Sequence, residues 1–265
     1  MMFFARLRTP FQTAAALALC LTVGVTAGCE RPSDNKEKAE AEGSTAKQKS
    51  KESEGDTTFR YALSDDPETF DTAKMSGAPE GRVAFNIFEG LLMPAQTTEG
   101  ASTSKDLVRP GVAEEWETND EGTTYTFHLR DDAQWSNGEP VTAEDFLYAW
   151  KRALTPGFPA DYAGLFGVIK NAEKYNTGKI SDFGKVGVEA KDEQTLVINL
   201  ENPTPYFPEL LAFYTFFPQP KDVIKEHGEK WTRPKHIVSN GPYVLENYKP
   251  QQEIVLTKND KYWDA

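Results

Sequence analysis

The chain has 265 residues, with 29 Lys and Arg against 41 Asp and Glu, a net charge of −12, and 16 Phe, 10 Tyr and 5 Trp. That length and aromatic content suffice for one large or two smaller hydrophobic cores. The acidic balance repels polyphosphates and acidic headgroups, which argues against nucleic acid and against charge-driven adsorption to a membrane.

The first twenty-eight residues stand apart. Arg6 and Arg8 form a basic start, and residues 14–25 are a run of small and apolar side chains. Such a run is too short to span a bilayer and has the form of an export signal. Its removal takes two Arg and no acid, lowering the charge from −12 to −14. Thr26-Ala27-Gly28-Cys29 looks like a lipobox, with Cys29 as the lipid acceptor and Thr26 where an aliphatic residue is usual. Cys20 lies inside the apolar run and leaves with it, so no disulfide is expected. Residues 30–58 contain no Val, Ile, Leu, Met or aromatic residue. A segment of that composition cannot offset the entropy of ordering itself, and residues 29–55 are expected to be a disordered tether. A flexible chain of about 27 residues reaches on the order of 30 Å, enough to lift a domain off a membrane surface.

Folded structure is expected from residue 56 onwards. Phe59, Tyr61 and Leu63 alternate with Arg60 and Ala62, the period of a strand, and residues 64–68 form a turn. Ala78 and Pro79 open a helix whose buried face is Val83, Ile87, Phe88 and Leu91, with Met93-Pro94 as its end. A polar loop over 95–105 precedes an apolar segment over 107–116. Tyr125, Phe127 and Leu129 then alternate with Thr126, His128 and Arg130, a strand with one buried face. The run Ser136-Asn137-Gly138-Glu139-Pro140 supplies a turn, and Thr142 with Asp145 three residues on forms a capping box. Phe146, Ala149, Trp150 and Ala153 share one helical face, and Thr155-Pro156-Gly157 stops the helix.

An irregular link leads to Tyr162, Leu165 and Phe166. Residues 185–190 and 194–200 form a hairpin with Leu196, Ile198 and Leu200 on one face. Thr204 and Pro205 start a short helix through Phe207, Leu210 and Leu211, and the aromatic cluster Phe213, Tyr214, Phe216 and Phe217 is expected in the core or packed under a loop rather than on a ligand surface. Residues 221–227 are a helix stopped by Gly228, and residues 241–248 and 253–258 are a second hairpin.

Several of these stretches together resemble one family. Trp116-Glu117, residues 125–130, and Trp135-Ser-Asn-Gly-Glu-Pro-Val-Thr-Ala-Glu-Asp-Phe146 resemble the signature of the family 5 extracellular solute-binding proteins, the oligopeptide-binding group of bacterial ABC importers. Residues 85–92, 109–116, 228–231, 240–243 and Tyr262-Trp263 extend the likeness to nearly everything after residue 59. The resemblance implies a mixed α/β fold of the periplasmic-binding-protein type II, a three-lobed clam-shell. Residues 56–90 and 201–265 would form an incomplete lobe I and residues 91–200 an inserted lobe II. Lobe III and a return strand of lobe I would lie beyond the last residue, leaving an apolar patch, an unpaired edge and marginal folding.

No catalytic set emerges: there is no nucleophile elbow, His-Glu-x-x-His, Walker loop or dinucleotide fingerprint. His128, His227 and His236 lack ligand spacing, so neither a metal nor another cofactor is expected. The resemblance implies instead an extracytoplasmic monomer, anchored through Cys29, that grips an oligopeptide by its backbone and delivers it to permease subunits with cytoplasmic ATPases. It places Ser76, Gly77 and Ala78 in a ligand-facing loop that reads Glu-Gly-Val-Pro in relatives, and Tyr162 as an aromatic beside the ligand. Ser76 stands where the acid would be, removing any ion pair made there but not the main-chain contacts of Gly77 and Ala78. Two alternatives stay open: a dipeptide, nickel chelate, haem or oligosaccharide as ligand, and a secreted hydrolase or adhesive surface protein.

Overall fold

The computed structural model describes residues 58–96, 100–101 and 103–265. The export signal, Cys29 and all but the end of the polar stretch lie outside the described residues.

Helix α1 (Ala78–Ile87) starts with proline in its first turn, where the missing N–H has no intrahelical partner to lose. Its Val83, Ala84 and Ile87 are buried, followed by buried Phe88 and Leu91. Strand β1 (Leu92–Pro94) then pairs antiparallel with β2 (Val108–Pro110). Met93 and Pro94 therefore lie in a ladder rather than at a helix end; the helix stops earlier, at Phe88, whose backbone turns extended. A 3₁₀ turn, Ser104–Leu107, straddles the end of the expected polar loop.

The largest sheet contains β3 (Ala113–Thr118), β4 (Thr124–Leu129), β5 (Val188–Ala190) and β6 (Thr195–Asn199), all antiparallel in the order β3-β4-β6-β5. Its register sets Trp116 opposite Phe127, Phe127 opposite Leu196, and Tyr125 opposite Ile198. Because side chains alternate between faces, Tyr125, Phe127, Leu129, Leu196 and Ile198 all reach one buried face, while His128 is exposed.

Helix α2 (Ala143–Leu154) begins as its sequence dictates: the Asp145 carboxylate accepts from the Thr142 N–H at 3.0 Å and its hydroxyl at 3.2 Å. The backbone N–H of Ala143 bonds to Glu193 in the β5–β6 turn at 2.9 Å, pinning the helix start to the sheet. Trp150 is fully buried; its indole N–H donates to the Phe216 carbonyl at 2.9 Å, and its ring meets Phe166 and Phe216 edge-on. Helix α3 (Ala172–Asn176) and a 3₁₀ turn, Ala163–Val168, fill the link between α2 and β5.

Beyond the sheet come α4 (Phe207–Leu211), α5 (Lys221–His227) and the hairpin of β7 (Tyr243–Lys249) with β8 (Glu253–Lys258). Helix α4 begins two residues later than Thr204-Pro205 suggests, with Tyr206 at its N-cap. Tyr214, Phe216 and Phe217 are core, as their sequence implies, but Phe213 is half-exposed.

Residues 59–63 are the clear departure. They have no regular structure; the Phe59 and Tyr61 rings lie tilted with centres 5.8 Å apart, no ladder includes them, and the two side chains are 84% and 50% exposed. Alternation specifies a strand only where a partner supplies the ladder bonds, and none of the described residues does so here.

Residues 59–265 form one compact unit. Two buried polar joints tie its distant segments. In the first, Arg152 on α2 donates twice to Asp71, at 2.8 and 2.6 Å, while Gln219 bonds Asp71, Thr72 and Arg152. The side chains of Arg152 and Asp71 are only 12% and 4% exposed. In the second joint, Glu89 accepts from the Tyr262 hydroxyl at 2.8 Å and the Trp263 indole at 2.7 Å, and its backbone exchanges bonds with the Asn240 amide. Arg130 lies 3.5 Å above the Trp263 ring. Burial raises the Glu89 carboxyl above its ordinary range, against the pull of those two hydrogen bonds and of Arg109 and Arg130.

Candidate functional site

The loop before α1 is built over a carboxylate. Glu80, in the first helical turn and 4% exposed, accepts the Glu68 N–H at 2.7 Å through Oε1. Its Oε2 is buried, has no hydrogen-bond partner, and lies so close to Gly77 that an added Cβ would come within 2.1 Å of it. A side chain at position 77 would push the Glu80 carboxylate out of this place. Ser76 and Ala78 on either side are exposed.

Tyr162 reaches this loop from the link after α2. Its hydroxyl donates to the Ser76 carbonyl at 3.0 Å, joining residues 86 positions apart. The ring is held edge-on by Phe213 at 5.0 Å and Tyr214 at 6.0 Å, and Phe85 meets Tyr214 edge-on at 6.2 Å. Burial pushes the Tyr214 phenol up, and its hydrogen bond with Tyr162 adds to the effect, so it stays protonated and available as a donor. The assembly offers main-chain groups at Ser76–Ala78, one tyrosine hydroxyl and the half-exposed faces of Phe85, Tyr162 and Phe213. These are means of holding a polar chain against an apolar wall; the loop contributes no nucleophile with a base beside it.

All four ligand-facing residues expected from the sequence are thus brought together, Ser76, Gly77 and Ala78 in the loop and Tyr162 across it. Sequence reasoning missed Glu80, Phe85 and Phe213. A signal existed for Glu80, an acid in the first turn after Pro79, and for Phe213, which opens an aromatic cluster expected in the core or under a loop rather than on a ligand surface. Among the described residues, no group of three or more His, Cys, Asp and Glu could hold a metal ion. His227 and His236, which lack ligand spacing in the sequence, lie with their rings tilted and their centres 4.0 Å apart. No described helix is long and apolar enough to cross a membrane.

Comparison with known proteins returns one consistent picture. The family model for bacterial extracellular solute-binding proteins, family 5 (middle), matches residues 108–265. The oligopeptide-binding protein OppA of Bacillus subtilis is 42% identical over 216 residues, covering 81% of this chain and 38% of the relative. A probable deoxycholate-binding periplasmic protein of Escherichia coli is 40% identical over 209 residues, covering 78% of this chain and 37% of its own length. Among solved structures, the substrate-binding domain of an oligopeptide ABC transporter from Bacillus anthracis superposes with a TM-score of 0.71 at 38% identity, over 77% of this chain and 38% of that one. The chain therefore spans about two fifths of the length of these relatives, and its mixed α/β fold is that of the periplasmic binding proteins. With more than half its residues matched by the family model, it belongs to the bacterial extracellular solute-binding proteins of family 5.

Proposed function

We propose that this chain is part of an extracytoplasmic protein that captures oligopeptides and presents them to an ABC importer, and that Ser76, Gly77, Ala78 and Tyr162 line one wall of its ligand cleft. The observation that carries the reading is the bond from Tyr162 to the Ser76 carbonyl, which sets exposed main chain beside an aromatic wall. Peptides share a backbone whatever their sequence, so a wall of this kind gives affinity with little selectivity among side chains. Relatives named for oligopeptide binding support it. In this reading, residues 56–90 with 201–265 form one lobe and residues 91–200 an inserted second. The four-stranded sheet drawn wholly from residues 113–199 supports that division. Cys29 carries the lipid anchor, residues 29–55 are the tether, and the working unit is a monomer that docks on permease subunits.

Calorimetric titration with tri- to pentapeptides tests the proposal, with deoxycholate as a competing ligand because one relative bears that name. Peptides of unrelated sequence are expected to bind with similar affinity. Tyr162→Phe is expected to weaken them about two- to tenfold, the worth of one hydrogen bond. Peptide cleavage, or no saturable binding of any of these peptides, would refute the reading.

A further inference from the structure

An open hollow lies well outside that loop, between α2, the turn at residues 183–187 and the edge strand β5. It offers about 590 Å³, within the range of small-molecule sites. Val186 and Val188 form its buried floor, and Leu147 and Phe183 present half-exposed apolar side chains to it. Lys170 and Lys185 stand at its rim.

The two lysines are placed by the backbone. The Lys170 N–H bonds the Asn199 carbonyl at 2.9 Å, the Lys170 carbonyl accepts from Gly187 at 2.8 Å, and the Lys185 carbonyl accepts from the Asn171 amide at 2.8 Å. Gly187 permits this closeness, since a Cβ there would lie 2.8 Å from that of Lys170. Yet neither ammonium has a hydrogen-bond or ion-pair partner among the described residues. The acid that also lines the hollow, Glu189, is engaged at 3.0 Å by Lys191. A third cation, Lys151, sits 5.8 Å from the Phe183 ring centre. Like charges held together beside apolar walls repel one another, and the low-dielectric walls focus their field into the hollow.

From this we propose that the hollow is a binding site for small amphipathic anions, a carboxylate or sulfonate carried on an aromatic or aliphatic body. The anionic head pairs with Lys170 and Lys185, and the body packs on Phe183, Leu147 and the valine floor. Charge-assisted bonds to two ammonium groups supply the preference for an anion. The site is separate from the peptide-binding loop and does not depend on the function proposed for it.

The experiment titrates the whole chain with 2-naphthoate and, separately, with neutral 2-naphthamide, following backbone amide shifts by NMR. Saturable shifts at Gly184 and Gly187 are expected with naphthoate, with Gly77 unmoved. The amide is expected to bind about tenfold more weakly, and Lys170→Ala with Lys185→Ala to weaken naphthoate by about the same factor. Both lysines are exposed, and an unchanged far-UV spectrum shows the double variant folded. Equal binding of acid and amide, undiminished binding by the variant, shifts centred on Gly77, or no saturation up to the solubility limit would each overturn the proposal.

Discussion

The sheet with α2 and the segments around the two polar joints are held together differently. In the sheet, neighbours in space come mostly from residues 113–199, and cohesion comes from apolar side chains that share a face by simple periodicity. Around the joints, Asp71 meets Gln219 across 148 positions and Glu89 meets Trp263 across 174, each through one buried carboxylate on which several hydrogen bonds converge. An apolar layer loses stability gradually when one side chain shrinks. A buried ion pair that loses one member leaves a charge with nothing to balance it.

The sharpest way to break the contrast is Arg152→Ala. It strands the Asp71 carboxylate and is expected to cost about 3–5 kcal/mol in urea unfolding, whereas replacing both partners by Met and Leu recovers most of that loss. Hydrogen exchange is expected to accelerate first at Lys74 and Met75, whose amides bond to Asp71, and last in β4 and β6. If β4 opens first instead, the two regions are not distinct. Leu196→Ala, in the middle of the sheet, is expected to cost about 2–5 kcal/mol and to accelerate exchange across the whole sheet. Thr142→Ala removes the hydroxyl from the cap of α2 and is expected to cost about 0.5–2 kcal/mol, visible as a lower urea midpoint with an unchanged slope.

The finest test concerns pH. The carboxyl of Glu89 is raised in the folded protein, so the native state binds its proton more readily than the unfolded chain. Its contribution to stability therefore falls as pH rises from the ordinary carboxylate value of 4.5 through the raised one. Glu89→Gln, which still offers an oxygen to Trp263 and an amide to Tyr262, is expected to remove that component of the slope. An unaltered pH profile would mean that the second joint does not hold a strained charge.

What the sequence revealed follows the same division. Tyr125, Phe127 and Leu129 announce their strand, and Thr142 with Asp145 announces the helix, because strand period and cap are local physics. Leu196, Ile198 and Leu200 pick out one buried face for the same reason. Residues 59–63 have the right alternation and still form no strand, since a ladder needs a partner that alternation cannot supply. Met93 and Pro94 carry no signal separating a helix end from an edge strand. The Asp71 to Arg152 bridge had no local signature at all: an acid and a base 81 positions apart meet only after the chain folds. The loop proposed to face the ligand was singled out through family likeness rather than periodicity, and the aromatic wall beside it was half hidden because Phe213 sits beside three core aromatics in the chain.

The carboxylate packed under Gly77 also bears on how the loop can diversify. Because a side chain at its centre would displace the Glu80 carboxylate, a change at residue 77 disturbs the packing of the loop before it can tune the recognition proposed for it. Variation is channelled into positions 76 and 78, which flank a silent middle. A family drifting from one ligand to another would leave its record at those two sites and across the gap at 162.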